Sequence, residues 1–218
     1  SNDIMRPVVL QQHSVFNFRK IMDEKKILLV NLSKGRLGDI NANLIGLVLV
    51  GKIQMAALSR VDMFGKPMND FYLYIDEFQN VTTDSISSIL SEARKYRLSL
   101  NIAHQYITQL EESIKNAVFG NVGSMAVFRV GTEDANFLEQ KFKPQFTAHD
   151  ITKLENRNAY MSMLVHGQPV KPFNLRTMDA EKGNPDIVNS LKELSYVKYG
   201  RDREEVEAEI LARFQSSQ

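Results

Sequence analysis

The sequence predicts an α/β fold with a doubly wound, mostly parallel sheet, followed by a hairpin and a helical tail. Three observations carry this. Short apolar runs alternate with amphipathic stretches, the connections between them are brief, and several runs end in polar residues. Such alternation builds strand–helix–strand units, whose strands are buried on both faces and read as near-continuous apolar runs.

Taken in order, "SVFNFRKIMDE" has helical spacing with a serine at its start. "KKILLVNLSKGRLG" reads as a strand over 27–32 running into a glycine-bearing loop, residues 33–39. "INANLIGLVLVGKIQMAALSRVDMF" is a long, mostly apolar helix. "FYLYIDE" is the next strand, and "TTDSISSILSEARKYR" a helix capped near Thr83 or Asp84, with Ile86, Ile89, Leu90 and Ala93 on one face. "LSLNIAHQ" is a third strand, "ITQLEESIKNAVFGN" a helix closed by Gly120, "GSMAVFRVG" a fourth strand and "TEDANFLEQKF" its helix. "AYMSMLVHGQPVKPFNL" reads as two strands around a turn at His166–Gly167. Beyond Met178 the chain is polar and helical, with helices over 186–197 and 202–214, the second capped by Asp202 and Glu205. The expected division is a main domain over 1–177 and a helical appendage over 178–218.

Composition bounds the function without naming it. The 218 residues are 43% hydrophobic and 24% charged, as in an ordinary globular protein. Lys and Arg number 27 against 26 Asp and Glu, so any nucleic-acid contact must come from a local patch. The absence of cysteine excludes disulfides and thiolate metal sites, and suits a reducing compartment. No uninterrupted apolar run approaches the ~18 residues of a membrane span, and the N-terminus does not read as a signal peptide.

Open parallel sheets bind ligands at the carboxyl ends of their strands. Those ends here offer Ser33, Lys34 and Gly35, then Asp76 and Glu77, then His104 and Gln105, then Arg129. Two acids, an amide and cations are the inventory of a metal–phosphate site. Asp76 would hold Mg²⁺ through water, Glu77 would polarise an attacking water, and Gln105 would orient that water or sense a γ-phosphate. Read without function, Asp76 caps a helix, Arg94 is a solvated helix cation, and Arg129 pairs with Glu133 or Asp134.

A phosphate cradle of the Gly-x4-Gly-Lys-Ser/Thr kind is the missing part. Gly46 to Ile53 comes near it, but it lacks the hydroxyl, carries β-branched Val48 and Val50, and lies in a helical pattern without a preceding strand. It is not a phosphate loop.

The stretches "LLVNLSKGRLG", "FYLYIDEFQN", "EARKYRLSLNIAHQY", "AVFRVGTEDANFLEQKF" and "GQPVKPFNL" together resemble the HerA–FtsK group of translocase ATPases, of the TraG/TraD conjugative and type IV secretion kind. The resemblance runs over roughly residues 8–176. It implies a RecA-like fold, with Asp76 and Glu77 as Walker B, Gln105 as the sensor, and Arg94 reaching a neighbouring subunit's nucleotide. It implies Arg129 as a phosphate contact, Lys34 and Arg36 as weaker DNA contacts, and ATP and Mg²⁺ as cofactors. The partners implied are a homo-hexamer, DNA and a conjugative or secretion complex, at the cytoplasmic face of the inner membrane. In the family the Walker A unit precedes the segment that starts here. The chain therefore corresponds to a C-terminal portion, inactive alone, of a parent ATPase. The alternative is a nucleotide-free scaffold in a transfer complex. A metal-dependent nuclease would want more carboxylates or histidines about Asp76, and the four histidines are scattered.

Overall fold

The computed structural model describes residues 4–82, 86, 89, 90 and 92–216. In chain order the elements are α1 (Arg6–Val9), α2 (Phe18–Asp23), α3 (Lys34–Leu37), α4 (Asp39–Leu58), β1 (Phe71–Ile75), β2 (Leu98–Ile102), α5 (Glu112–Asn121), β3 (Met125–Val127) and α6 (Thr132–Phe142). They continue with α7 (Ala148–Thr152), β4 (Asn158–Ser162), β5 (Leu164–Val165), β6 (Gln168–Pro169), β7 (Phe173–Arg176), α8 (Pro185–Tyr199) and α9 (Arg203–Ser216). The chain forms two compact units, residues 47–179 and residues 1–46 with 180–218, and α4 runs across the division.

The 47–179 unit is built on the pair β1 and β2, which lie parallel in register from Phe71↔Leu98 to Ile75↔Ile102. Between them the chain crosses over through helical residues 86, 89, 90 and 92 and a 3₁₀ turn, Ala93–Tyr96. Ile86 and Ile89 are buried as their spacing predicts, and the expected cap at Thr83 or Asp84 lies outside the described residues. Val50, Ile53, Ala57 and Arg60 form one buried stripe along α4 and the 3₁₀ turn Ser59–Met63 that extends it. With that extension, residues 39–63 make one helix long and apolar enough to cross a membrane by length and composition. Counting unbroken runs misses it, because isolated Asn41, Asn43, Lys52 and Gln54 interrupt an otherwise apolar helix. The buried stripe is equally what a core helix shows.

The fourth strand, β3, departs from expectation in its partner. It pairs antiparallel with β4, which pairs antiparallel with β7, giving the order β3-β4-β7. The segment read as two strands is four short ones, and the turn is where the sequence placed it. His166 and Gly167 take φ 51° and 78° between β5 and β6, the positive pair that a tight hairpin requires. Gly120 does not close its helix. α5 continues to Asn121 and ends where Val122 N–H reaches the Val118 carbonyl at 2.9 Å.

At α7 a capping box fixes the helix start. Thr147 Oγ1 accepts from the Asp150 N–H at 3.3 Å, and Asp150 Oδ2 accepts from the Thr147 N–H at 2.8 Å. That backbone donor first, then the Thr147 hydroxyl, holds the Asp150 carboxyl below its ordinary value. A folded-state depression stabilises above the unfolded carboxylate pKa, about 3.9, and is lost as pH falls through the lower folded value. Asp150→Ala is therefore expected to lower the melting temperature at pH 7, with the deficit shrinking as pH falls below about 4. A deficit constant from pH 7 to pH 2 in thermal melts would refute the charged cap.

In the other unit, α2 starts at Asn17 rather than at a serine, because Asn17 Oδ1 accepts the Lys20 N–H at 2.9 Å while Ser14 Oγ bonds the Phe16 carbonyl. Residues 27–32, expected as a strand, form no ladder among the described residues, with Ile27 and Leu29 largely exposed. A strand exists through its partner, and none of the described residues pairs with this one. The loop expected over 33–39 contains the single turn α3, which Gly38 ends at φ 76°. α1 packs on α9, Phe16 meets the Tyr199 ring at 5.5 Å, and Arg213 donates to the Leu10 carbonyl. Asn184 and Asp202 cap α8 and α9 through the N–H groups of Asp186, Glu204 and Glu205.

Candidate functional site

The parallel register of β1 and β2 brings their carboxyl ends side by side, and two backbone bonds carry the pairing past the strands. Ala103 N–H donates to the Ile75 carbonyl and Phe78 N–H to the Ala103 carbonyl, each at 2.9 Å. Phe78 is fully buried and anchors the turn Phe78–Asn80. Between the strand and this anchor, Glu77 is forced to φ 50°, ψ 45°, the left-handed region where a residue with a Cβ is uncommon. Asp76 is exposed, and its Oδ1 accepts the Glu77 N–H at 2.9 Å.

The Glu77 carboxylate is held on both oxygens. Gln105 Nε2, from the end of β2, donates to Oε1 at 2.7 Å, and Gln79 Nε2, from the following turn, donates to Oε2 at 2.7 Å. The structure thus unites Asp76, Glu77 and Gln105, as their topology implies, and adds Gln79. Reading the sequence missed Gln79 because it follows the strand end in a turn, Phe78–Asn80, whose course is not visible in the local pattern. The left-handed turn at Glu77 is what folds the amide back. The loop after Gln105 is tied down by the buried Asp134, whose Oδ2 accepts the Ile107 N–H at 3.2 Å.

The other candidates lie apart. Arg129 pairs with neither Glu133 nor Asp134; its Nη2 donates to Asn156 Oδ1 at 3.1 Å, since Asp134 is turned inward to Ile107. Arg94 is exposed on the turn Ala93–Tyr96, at the amino end of β2. β2 alone spans on the order of 13 Å, so Arg94 and the Glu77 carboxylate sit at opposite ends of the sheet. Arg94 lines an open depression of about 570 Å³ with Glu92, Lys95 and Arg97. Lys95 pairs with Glu92 at 3.1 Å and Arg97 with Asp70 at 3.4 Å. In the other unit, Lys34 pairs with Asp39 at 3.3 Å, and Arg36 is exposed.

Against Mg²⁺ and ATP the donor set fits in one half. Magnesium keeps most of its water and takes one or two carboxylates plus phosphate oxygens, which an exposed Asp76 beside Glu77 can offer. The phosphate half does not fit the residues described. The Gly46–Ile53 stretch is interior to α4, where backbone N–H groups are engaged in helical bonds and unavailable to an anion.

Residues 70–141 match the family model described as the TraM recognition site of TraD and TraG. The chain carries a TraG/TraD-like segment. That segment runs from the residue before β1 nearly to the end of α6 and contains Asp76, Glu77, Gln79, Arg94, Gln105 and Arg129. The plasmid coupling protein TrwB in complex with ADP and Mg²⁺ superimposes with a TM-score of 0.59 at 15% identity, over 78% of this chain and 45% of that one. TrwB with a non-hydrolysable ATP analogue gives 0.57 over the same shares and at the same identity. The unbound bacterial conjugative coupling protein TrwBdeltaN70 gives 0.52 at 15% identity, over 63% of this chain and 37% of that one. The chain therefore has a RecA-like fold in part, and spans less than half the length of the coupling proteins it matches. No curated protein sequence matches it.

Proposed function

We propose that this chain is the C-terminal part of the motor domain of a ring-forming, ATP-driven DNA translocase of conjugative transfer or type IV secretion. The observation that carries the reading is the Asp76–Glu77–Gln105 constellation at the adjacent carboxyl ends of two parallel strands, where an α/β sheet binds its ligand. Asp76 would hold Mg²⁺ through water; the metal's contribution is to neutralise charge on the transferred phosphoryl group. Glu77 would accept a hydrogen bond from the attacking water, and Gln105 would trade its bond to Glu77 for one to that water or to a terminal phosphate. Arg94, at the far end of the sheet, is suited to a neighbour's nucleotide rather than its own, which makes turnover depend on ring assembly. Arg129 would contact phosphate by leaving Asn156. Lys34 and Arg36 would be the weaker DNA contacts, and the TraM named for the matched family suggests a protein partner of that kind.

The phosphate cradle belongs to sequence outside these residues in this reading, in keeping with the share of the coupling proteins that the chain covers. The whole would act at the cytoplasmic face of the inner membrane. The lack of a cradle also favours a second reading, a nucleotide-free scaffold in a transfer complex. One assay separates them: ATP turnover by the natural protein extended through its upstream reading frame, with and without DNA. DNA-stimulated turnover is expected. Neither turnover nor nucleotide binding by the extended protein would leave the scaffold.

A further inference from the structure

We propose that Gln79 is a positioning residue that fixes the Glu77 carboxylate throughout the catalytic cycle, while Gln105 is its exchangeable partner. The inference rests on the reading of Glu77 as the group that polarises water. Its basis is the asymmetry of the two amides. Both donate to Glu77 at 2.7 Å, one to each oxygen. Gln105 is exposed and comes from another strand, 28 residues away, so its bond opens with any movement of that loop or any competing ligand. Gln79 is half-buried, two residues from Glu77, on a turn that fully buried Phe78 pins from within.

The amide of Gln79 has one workable orientation. Its Nε2 faces Oε2 of Glu77; reversing it would set its carbonyl oxygen against the carboxylate. Its Oε1 is buried and meets no donor among the described residues. A buried acceptor without a partner is costly, and such costs are retained where a group has other work to do. The left-handed backbone at Glu77 points the same way, since strain of this kind persists where the surroundings hold it and clusters at reactive sites. A carboxylate tethered on Oε2 presents Oε1 in a set direction once Gln105 leaves. Gln79 thus acts on water only through Glu77.

The test uses the upstream-extended protein with its ATPase activity. Gln79→Met keeps the stem and deletes the amide. It is expected to lower kcat on the order of tenfold, with KM for ATP and the melting temperature unchanged, because a misdirected base weakens the chemical step and not nucleotide binding. Combined with Glu77→Gln, it is expected to add no further loss, because groups acting as a unit are non-additive. An unchanged kcat in Gln79→Met, or a full tenfold loss on top of Glu77→Gln, overturns the positioning role. If Glu77→Gln itself turns over like the parent, the Glu77 reading fails first and the Gln79 proposal falls with it. Should Gln79→Met not fold, Gln79→Asn carries the same amide on a stem too short to reach Oε2. The same kcat loss is then expected, and parent-like turnover overturns the proposal.

Discussion

Replacing Glu77 by Gln in the extended protein is expected to cut ATP turnover by about 10² to 10³, the range a positioned general base contributes. Nucleotide affinity should remain within a factor of about two, because the substitution keeps the shape of the side chain. Both halves follow from the geometry. Glu77 stands beyond the end of β1, with Asp76 beside it to serve a cation and Gln105 across from it to direct a water. The amide of the variant cannot accept a proton, but it can still occupy the space between Gln79 and Gln105 once one of them turns. Steady-state turnover and equilibrium binding of a fluorescent nucleotide read the two parameters separately. Residual turnover above roughly a tenth of the parent's would remove Glu77 from the reaction.

Much of this site was legible in the sequence, for a physical reason. The short apolar runs "FYLYI" and "LSLNI" mark the parallel pair, and the residues following them must lie at the ligand-binding edge. Asp76, Glu77 and Gln105 were found in this way. Burial on both faces, expected of such strands, does not hold for β1, where Tyr72 and Tyr74 are exposed. What depended on a partner was not legible. Residues 27–32 read locally as a strand and have no ladder among the described residues, and β3 and the strand at 159 onward both read as strands while their antiparallel pairing, across more than 30 residues, did not show. Side chains that act through the backbone of distant segments were equally hidden. Asp134 reads as an ordinary acid in the first turn of α6, yet its carboxylate is buried against the Ile107 N–H. Arg60, in "LSRVDMF", reads as a helix-end cation facing water, and it is wholly buried.

That buried arginine carries the second large effect. Arg60 Nη1 donates to the Asn69 carbonyl at 3.1 Å and to the Tyr96 carbonyl at 3.0 Å. One guanidinium nitrogen thereby ties the end of the long helix to the entry of β1 and to the turn that bears Arg94. Phe64 stacks on the Tyr96 ring at 5.5 Å, and Phe71 N–H bonds the Arg97 carbonyl at 2.8 Å, so the same turn is gripped from three sides. Arg60→Ala removes the donor from two carbonyls and leaves a cavity the size of an extended side chain. Its expected cost is about 3–5 kcal/mol, that of breaking a buried charged interaction. At roughly 2–4 °C per kcal/mol for a domain of this size, the melting temperature should fall by about 6–20 °C. Arg60→Met isolates the polar part, because it fills most of the stem's volume and restores neither bond. It should recover some of the loss but not most of it. If Arg60→Met melts with the parent, the arginine is only a spacer. A low melting temperature in both variants, with hydrogen exchange quickened first at residues 94–97, would make Arg60 the strut that sets the arginine turn against the sheet.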